Sequence, residues 1–382
     1  KKVAWVTSGA PVEMLKALGY FTLYPENHGA VCGVRRMAVE LSGYAEELGY
    51  NRDLCSYARG DIGAVVSGKT PVGRLPRPDL LFCCTNICQT VLYWYQVLAD
   101  HYKVPLIIID TPFIYDKVTD HEIGYVKKQL EYATGVAERV AGKSLTNEQF
   151  KKAGVYARDA ILYWNEILEL CKHRPAPISA FDQFFYMAPV VDMRGEKCAV
   201  DFYKHVLQEV KQRVASGTGS LTNERKRLLW DNLPIWHQVR QFAEALAVKG
   251  FCIAASTYTH AWGGDMKHII ESIDVSSTDT DYLLTMFASA YLHAILNQSS
   301  GYKLKVMARM VKEYDLDGVI LHNNRSCKPY SLGQIDQRDR LINEYGIPTL
   351  LLEADHNDPR SFSEEQAMTR LSALMEMVES KK

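Results

Sequence analysis

The chain has 382 residues, 47% of them hydrophobic, and a formal net charge of −1. Such a composition supplies a large core, excludes a disordered chain, and lacks the basic surplus of a nucleic-acid binder. No run of about 18 apolar residues is present to span a membrane, and the chain enters a strand pattern at once with no leader visible, so the expected location is the cytoplasm.

At about 150 residues per domain, the length suggests two domains. Val3–Thr7 reads as a short apolar strand, followed by a turn with Pro11 at a helix start and Gly19 at its end. Phe21–Tyr24 reads as a second strand, and a long amphipathic helix is expected over Val34–Leu48. Leu80–Phe82 is a buried strand, Ile87–His101 a helix, and Val104–Ile109 a continuous apolar run of the kind that fills a central parallel strand. Residues 118–215 are mostly helical, and Ser216–Ser220 reads as a loop. The α/β rhythm then returns, with strands at Arg227–Trp230, Phe251–Ala255, Gly318–Leu321 and Thr349–Leu352 separated by helices. The reading is α/β: two doubly wound, Rossmann-like lobes with parallel sheets, joined by a helical segment and facing each other across a cleft. The expected boundaries are 1–145 for the N-terminal lobe, 146–220 for the helical region and 221–382 for the C-terminal lobe.

Nine cysteines are present, an odd number in a large chain, which points to metal binding or catalysis rather than a disulfide scaffold. Cys171, Cys198 and Cys252 are read as small buried residues. Cys83, Cys84 and Cys88 follow a buried strand and run into a helix, and Cys327 lies just past another strand. Ligand sites in open α/β sheets lie beyond the carboxyl ends of the strands, so both lobes can present thiols to one cleft. Cys32 and Cys55 stand alone in the first sixty residues. A structural zinc site prefers two close pairs, whereas one compact group with distant singles suits a cluster wedged between lobes. A Cys/His nucleophile is a third reading, with His28 and His322 near cysteines in sequence, and nothing selects one thiol for it.

At Tyr24-Pro25-Glu26-Asn27-His28-Gly29-Ala30, Leu54-Cys55-Ser56-Tyr57-Ala58-Arg59, the cysteines after Leu81-Phe82, Arg227–Trp230 and Cys327, the chain resembles the family of 2-hydroxyacyl-CoA dehydratases and ATP-dependent benzoyl-CoA reductases. The resemblance covers nearly the whole chain, and its first two stretches resemble the reductase and double-cubane branch more. It implies one of two related subunits of a benzoyl-CoA reductase, or a dehydratase subunit, or an electron-relay partner. By match, a dehydratase-type [4Fe–4S] cluster would use Cys55, Cys327 and one of Cys83 and Cys84. An 8Fe–9S double cubane needs six thiolates, and Cys32, Cys55, Cys83, Cys84, Cys88 and Cys327 supply that number, so the double cubane is preferred. Cys83 and Cys84 are adjacent and would face opposite ways in a regular strand, so both can bind only if the backbone leaves the strand there. The chain has no phosphate-binding Gly-rich loop of either common kind. The resemblance implies a separate ATP-hydrolysing activator with its own 4Fe–4S cluster, ferredoxin upstream, a homologous second subunit, and an aromatic acyl-CoA substrate. His28 and Glu26 are the expected proton donors. Tyr258 and Trp262 are read as an aromatic wall, His260 as polar support, Arg59 and Arg325 as charges near the cluster, and Lys328 as a contact for CoA phosphates.

Overall fold

The computed structural model describes residues 1–381, save the side chain of Asp265. Four strands, β1 (Val3–Val6), β2 (Phe21–Leu23), β3 (Leu80–Cys84) and β4 (Leu106–Ile109), form one parallel sheet in the order β2-β1-β3-β4. Four more, β5 (Lys226–Asp231), β6 (Phe251–Ser256), β7 (Gly318–Asn324) and β8 (Thr349–Ala354), form a second parallel sheet in the order β6-β5-β7-β8. The two sheets share one topology. In each, chain order reverses beside the first strand, between β1 and β3 and between β5 and β7. Those reversals open crevices beyond the carboxyl ends of the strands.

Every residue of β3 and of β6 is buried, as expected of strands covered on both faces. Neighbouring residues then feed opposite cores. Ala4, Phe82 and Leu229 belong to one apolar cluster, while Trp5, Leu81 and Leu228 belong to the other. Each cluster draws on both sheets, so the lobes are packed together. Between the sheets lie the long helices Asp120–Ala141, Asn147–Leu170 and Lys197–Ala215. The first opens with a capping box, Thr119 with Glu122, and ends at Gly142 in the left-handed region.

Four local differences from the sequence reading matter. The helix expected at Val34–Leu48 spans Ala38–Glu47, and an unexpected helix, Pro25–Val34, precedes it, with Arg36 at φ 58° between them. Pro25 occupies a first-turn position where its missing N–H costs nothing, so the segment carrying Glu26 and His28 is helical. A further helix, Ser56–Ser67, lies against Ala38–Glu47 at Gly63, where a Cβ would stand 1.7 Å from the Leu41 carbonyl oxygen. Strand β3 continues in regular pairing through Cys83 and Cys84, opposite Ile108 and Ile109, so the backbone does not leave the strand there. Cys198 is exposed rather than buried.

Candidate functional site

Three cysteines from three separate loops open onto one cavity. Cys55 is the N-cap of helix Ser56–Ser67, Cys88 lies two residues before helix Thr90–Tyr102, and Cys327 is the N-cap of the short helix Lys328–Ser331. All three line a cavity of about 1100 Å3 of empty space, part of it open to solvent. Cys88 and Cys327 reach it from the carboxyl ends of β3 and β7, the strands flanking the two reversals. Backbone N–H groups of the following turn lie close enough to each sulfur to favour its thiolate, Tyr57 and Ala58 for Cys55, Thr90 and Val91 for Cys88, and Tyr330 for Cys327, though neither Cys55 nor Cys327 makes an aligned cap hydrogen bond.

Two effects compete on these thiols. Burial pushes all three up, Cys55 to about 12, and each is raised further by a neighbouring cysteine or acid. The backbone donors act the other way, by stabilising a thiolate. Burial wins while the sulfurs are bare. Cys327 feels both Cys55 and Cys88, so the three sulfurs stand within electrostatic reach of one another.

The remaining walls are largely aromatic and aliphatic, with Tyr57, Trp94, Tyr258, Trp262 and Tyr330 among them. No Lys or Arg is among the described lining residues; Glu26 and His356 are the ionisable groups besides the cysteines and tyrosines. Burial raises the Glu26 carboxyl to about 7, and it accepts hydrogen bonds from the Ser8 N–H at 3.1 Å and the Tyr95 hydroxyl at 3.4 Å. A carboxyl in that range can both give and take a proton near neutrality.

The other sequence-nominated residues lie elsewhere. Cys84 packs into one core with its sulfur 3.3 Å from the Thr111 hydroxyl, while Cys83 faces the opposite core; neither lines the cavity. Cys32 is fully buried, its sulfur 3.5 Å from His28 Nε2. His28 Nδ1 stands 3.1 Å from Asp61, and Nε2 is 2.9 Å from the Thr70 hydroxyl. Burial depresses the imidazole, but the Asp61 and Cys32 partners outweigh it and hold His28 at about 10. The Cys32–His28–Asp61 order is that of a nucleophilic triad, yet a fully buried thiol offers a substrate no approach. His260 is bound at 2.7 Å on each nitrogen, to the Ser256 carbonyl and the Tyr314 hydroxyl, and burial lowers it to about 4. It lines an adjoining polar cavity, whereas Tyr258 and Trp262 do reach the cysteine cavity. Arg59 is spent on Glu46 at 2.6 Å and Asp358 at 3.1 Å. Arg325 is paired with Glu353 at 3.3 Å, and Lys328 donates to the Arg325 carbonyl oxygen.

Sequence reasoning passed over Tyr57, Trp94, Tyr330 and His356. The signal for the last was the run Asp355-His356-Asn357-Asp358 just past the carboxyl end of β8. All four are buried, which polar residues in succession seldom are without a shared task.

Among the described residues, no three His, Cys, Asp or Glu side chains are spaced to hold a single metal ion. The cavity instead offers three soft thiols at wider separation, backbone donors that suit an anionic sulfur, and apolar walls. Those features fit a polynuclear iron–sulfur group better than a closed tetrahedral zinc site.

A family model described as 2-hydroxyglutaryl-CoA dehydratase, D-component, matches residues 7–378. The chain belongs to that family. It is similar to the (R)-2-hydroxyisocaproyl-CoA dehydratase alpha subunit of Clostridioides difficile, 31% identical over 100% of this chain and 91% of the relative. The (R)-phenyllactyl-CoA dehydratase alpha subunit of Clostridium sporogenes is 30% identical with the same coverage. A benzoyl-CoA reductase subunit from Thauera aromatica is 28% identical over 100% of this chain and 90% of its own length. The chain's relatives thus include both dehydratase and reductase subunits.

Proposed function

We propose that this chain is the cluster-bearing subunit of a 2-hydroxyacyl-CoA dehydratase acting on a thioester with an apolar acyl group, with one [4Fe–4S] cluster held by Cys55, Cys88 and Cys327. The observation that carries the reading is the convergence of these three thiols, each just before a helix, on one apolar cavity while Cys32, Cys83 and Cys84 stay in the cores. Three thiolates suffice for a single cubane with one iron left without a protein thiolate. The six-thiolate count that favoured a double cubane needs Cys83 and Cys84 in the site, and their opposed orientation in β3 weighs against it.

When bound, such a cluster supplies single electrons at low potential and an iron able to accept an oxygen ligand. The chain's own residues do the rest. Tyr57, Trp94, Tyr258 and Trp262 hold an apolar acyl group and exclude water. The absence of Lys and Arg from the described lining leaves nothing to pair a second carboxylate on the acyl group, so a hydroxyisocaproyl- or phenyllactyl-like chain fits better than a glutaryl-like one. Glu26, held by Ser8 and Tyr95, stores or takes up the proton that elimination moves.

A second reading, reduction of an aromatic ring as in a benzoyl-CoA reductase, is favoured by the aromatic walls and by a carboxyl that still carries a proton to give near neutrality in part of the population. Both readings put the chain next to a homologous second subunit, as the names of its relatives suggest. Both also call for a separate ATP-hydrolysing activator with its own 4Fe–4S cluster and for ferredoxin as donor.

Iron and sulfide analysis of anaerobically purified protein separates the readings. About four of each per chain supports the single cubane and about eight the double cubane. With partner subunit, activator and ATP present, 2-hydroxyacyl-CoA should lose water. Turnover of benzoyl-CoA with none of 2-hydroxyacyl-CoA would overturn the first reading, and a chain without iron would overturn both.

A further inference from the structure

Two cysteines of the cavity are each followed or preceded by a serine, and those serines meet on one carboxylate. Ser56 follows Cys55 and Ser326 precedes Cys327. Ser56 Oγ donates to Asp355 Oδ1 at 2.5 Å, and Ser326 Oγ donates to Asp355 Oδ2. The Ser56 backbone N–H also donates to Ser326 Oγ at 3.2 Å, so the two loops touch directly. Asp355 further accepts the N–H groups of Asn357 and Asp358, each at 2.8 Å. His356 completes the set. The Ser56 proton is committed to Asp355, so His356 Nε2 donates to Ser56 Oγ at 3.0 Å and Nδ1 accepts from Asn324 Nδ2 at 2.9 Å. Every member is buried. The ligand-bearing loops thus come from different lobes, one before helix Ser56–Ser67 and one after β7, and are tied through the loop after β8.

We propose that Asp355, Ser56, Ser326 and His356 form a clasp that fixes the span between Cys55 and Cys327, and that the Asp355 charge makes a cluster held there harder to reduce. The proposal rests on the cluster reading above. The geometry explains why a buried carboxylate is kept in this place. A hydrogen-bonded hub between two thiol-bearing loops sets their spacing, and a fixed negative charge beside a redox centre opposes the arrival of an electron. These are positioning residues, since none of them is a ligand.

The test compares wild type with Asp355→Asn, the double variant Ser56→Ala/Ser326→Ala, and Tyr314→Phe. The last removes a buried hydrogen bond to His260 and lies outside the cysteine cavity lining, which controls for general loss of stability. Iron release to a chelator and an EPR-monitored redox titration are measured on the anaerobic complex, with circular dichroism confirming the fold. The double serine variant should release iron about tenfold to a hundredfold faster than wild type, as is typical for partners behind metal ligands, while Tyr314→Phe should not. Asp355→Asn, which keeps the carboxylate's shape, should hold iron and show a higher midpoint potential. Unchanged release and unchanged potential in iron-loaded variants would overturn the clasp alone. Wild-type protein with no cluster would overturn the clasp together with the reading beneath it. A double serine variant that fails to fold leaves the decision to the potential of Asp355→Asn.

Discussion

Replacing Glu26 by Gln isolates the one carboxyl of the cavity without changing its size. In the folded chain, burial moves this carboxyl from 4.5 to about 7. At 1.36 kcal/mol per pH unit that corresponds to about 3 kcal/mol, reduced to about 2 kcal/mol because the group faces a cavity partly open to solvent. The sign follows from the direction. Below pH 4.5 the group is protonated in both folded and unfolded chains and contributes no pH dependence. Between 4.5 and about 7 the unfolded chain ionises first, so the folded state progressively loses stability as pH rises, and the full cost is present above 7. Gln keeps one oxygen to accept from the Ser8 N–H, can turn its amide N–H toward the Tyr95 hydroxyl oxygen, and carries no charge to desolvate. Urea unfolding at pH 4.5 and pH 8 should therefore show the two proteins nearly equal in acid, with the Gln variant more stable by about 2 kcal/mol at pH 8. Cys83, Cys88 and Tyr95 are raised above their usual ranges by burial and stay protonated at both pH values, so they add no titration to the comparison. Curves that differ by the same amount at both pH values would refute the argument, because the carboxyl would then titrate in the folded chain as it does in the unfolded one. In the assembled enzyme the same variant should lose about a hundredfold in turnover if Glu26 moves the proton.

Cys55→Ala, Cys88→Ala and Cys327→Ala should each lose most bound iron, whereas Cys32→Ala, Cys83→Ala and Cys84→Ala should keep it and lose only about 1–2 kcal/mol of stability; iron content and urea midpoints distinguish the two groups. Gly63→Ala forces a Cβ to within 1.7 Å of the Leu41 carbonyl oxygen, so the two helices must separate, and a loss of more than about 2 kcal/mol is expected from thermal unfolding. Arg194 is fully buried, donates to Glu13, Tyr291 and two backbone carbonyls, and lies 4.2 Å from the Trp262 ring. Arg194→Met should cost about 3–5 kcal/mol by stranding the Glu13 carboxylate, and the double variant with Glu13→Gln should recover part of it.

Much of the fold could be read in advance because parallel strands announce themselves as short apolar runs. Leu80–Phe82, Phe251–Ala255 and Gly318–Leu321 all proved to be strands of the two sheets. What escaped was helix breakage set by single residues. Arg36 in the left-handed region separates the expected helix from Pro25–Val34, which the pattern did not announce, and the helix Ser56–Ser67 carries Gly60 and Gly63, so propensity hides it. The site was legible in kind more than in membership. Counting thiols put Cys32, Cys83 and Cys84 on a par with Cys55, Cys88 and Cys327. Only the pleat of β3 separates Cys83 from Cys84, and only burial separates Cys32. The useful signal was position rather than number: the three cavity cysteines all stand just before a helix, where backbone donors gather.

That placement also says what the thiols are for. A nucleophilic cysteine needs a depressed pKa and a base beside it. Here burial holds Cys55 at about 12 and Cys88 and Cys327 above their usual range, and among the described residues no base is bonded to any of the three. Left bare, they are neutral and unreactive near pH 7. The N–H groups near them gain value only once the protons leave, and a soft cation is the agent that displaces protons from thiols at neutral pH. The same cavity provides no lysine or arginine among its described lining residues to neutralise three thiolates. The positive charge that balances them has to come with the ligand, which is the electrostatic reason to read this crevice as the seat of a metal cluster rather than of a covalent catalyst.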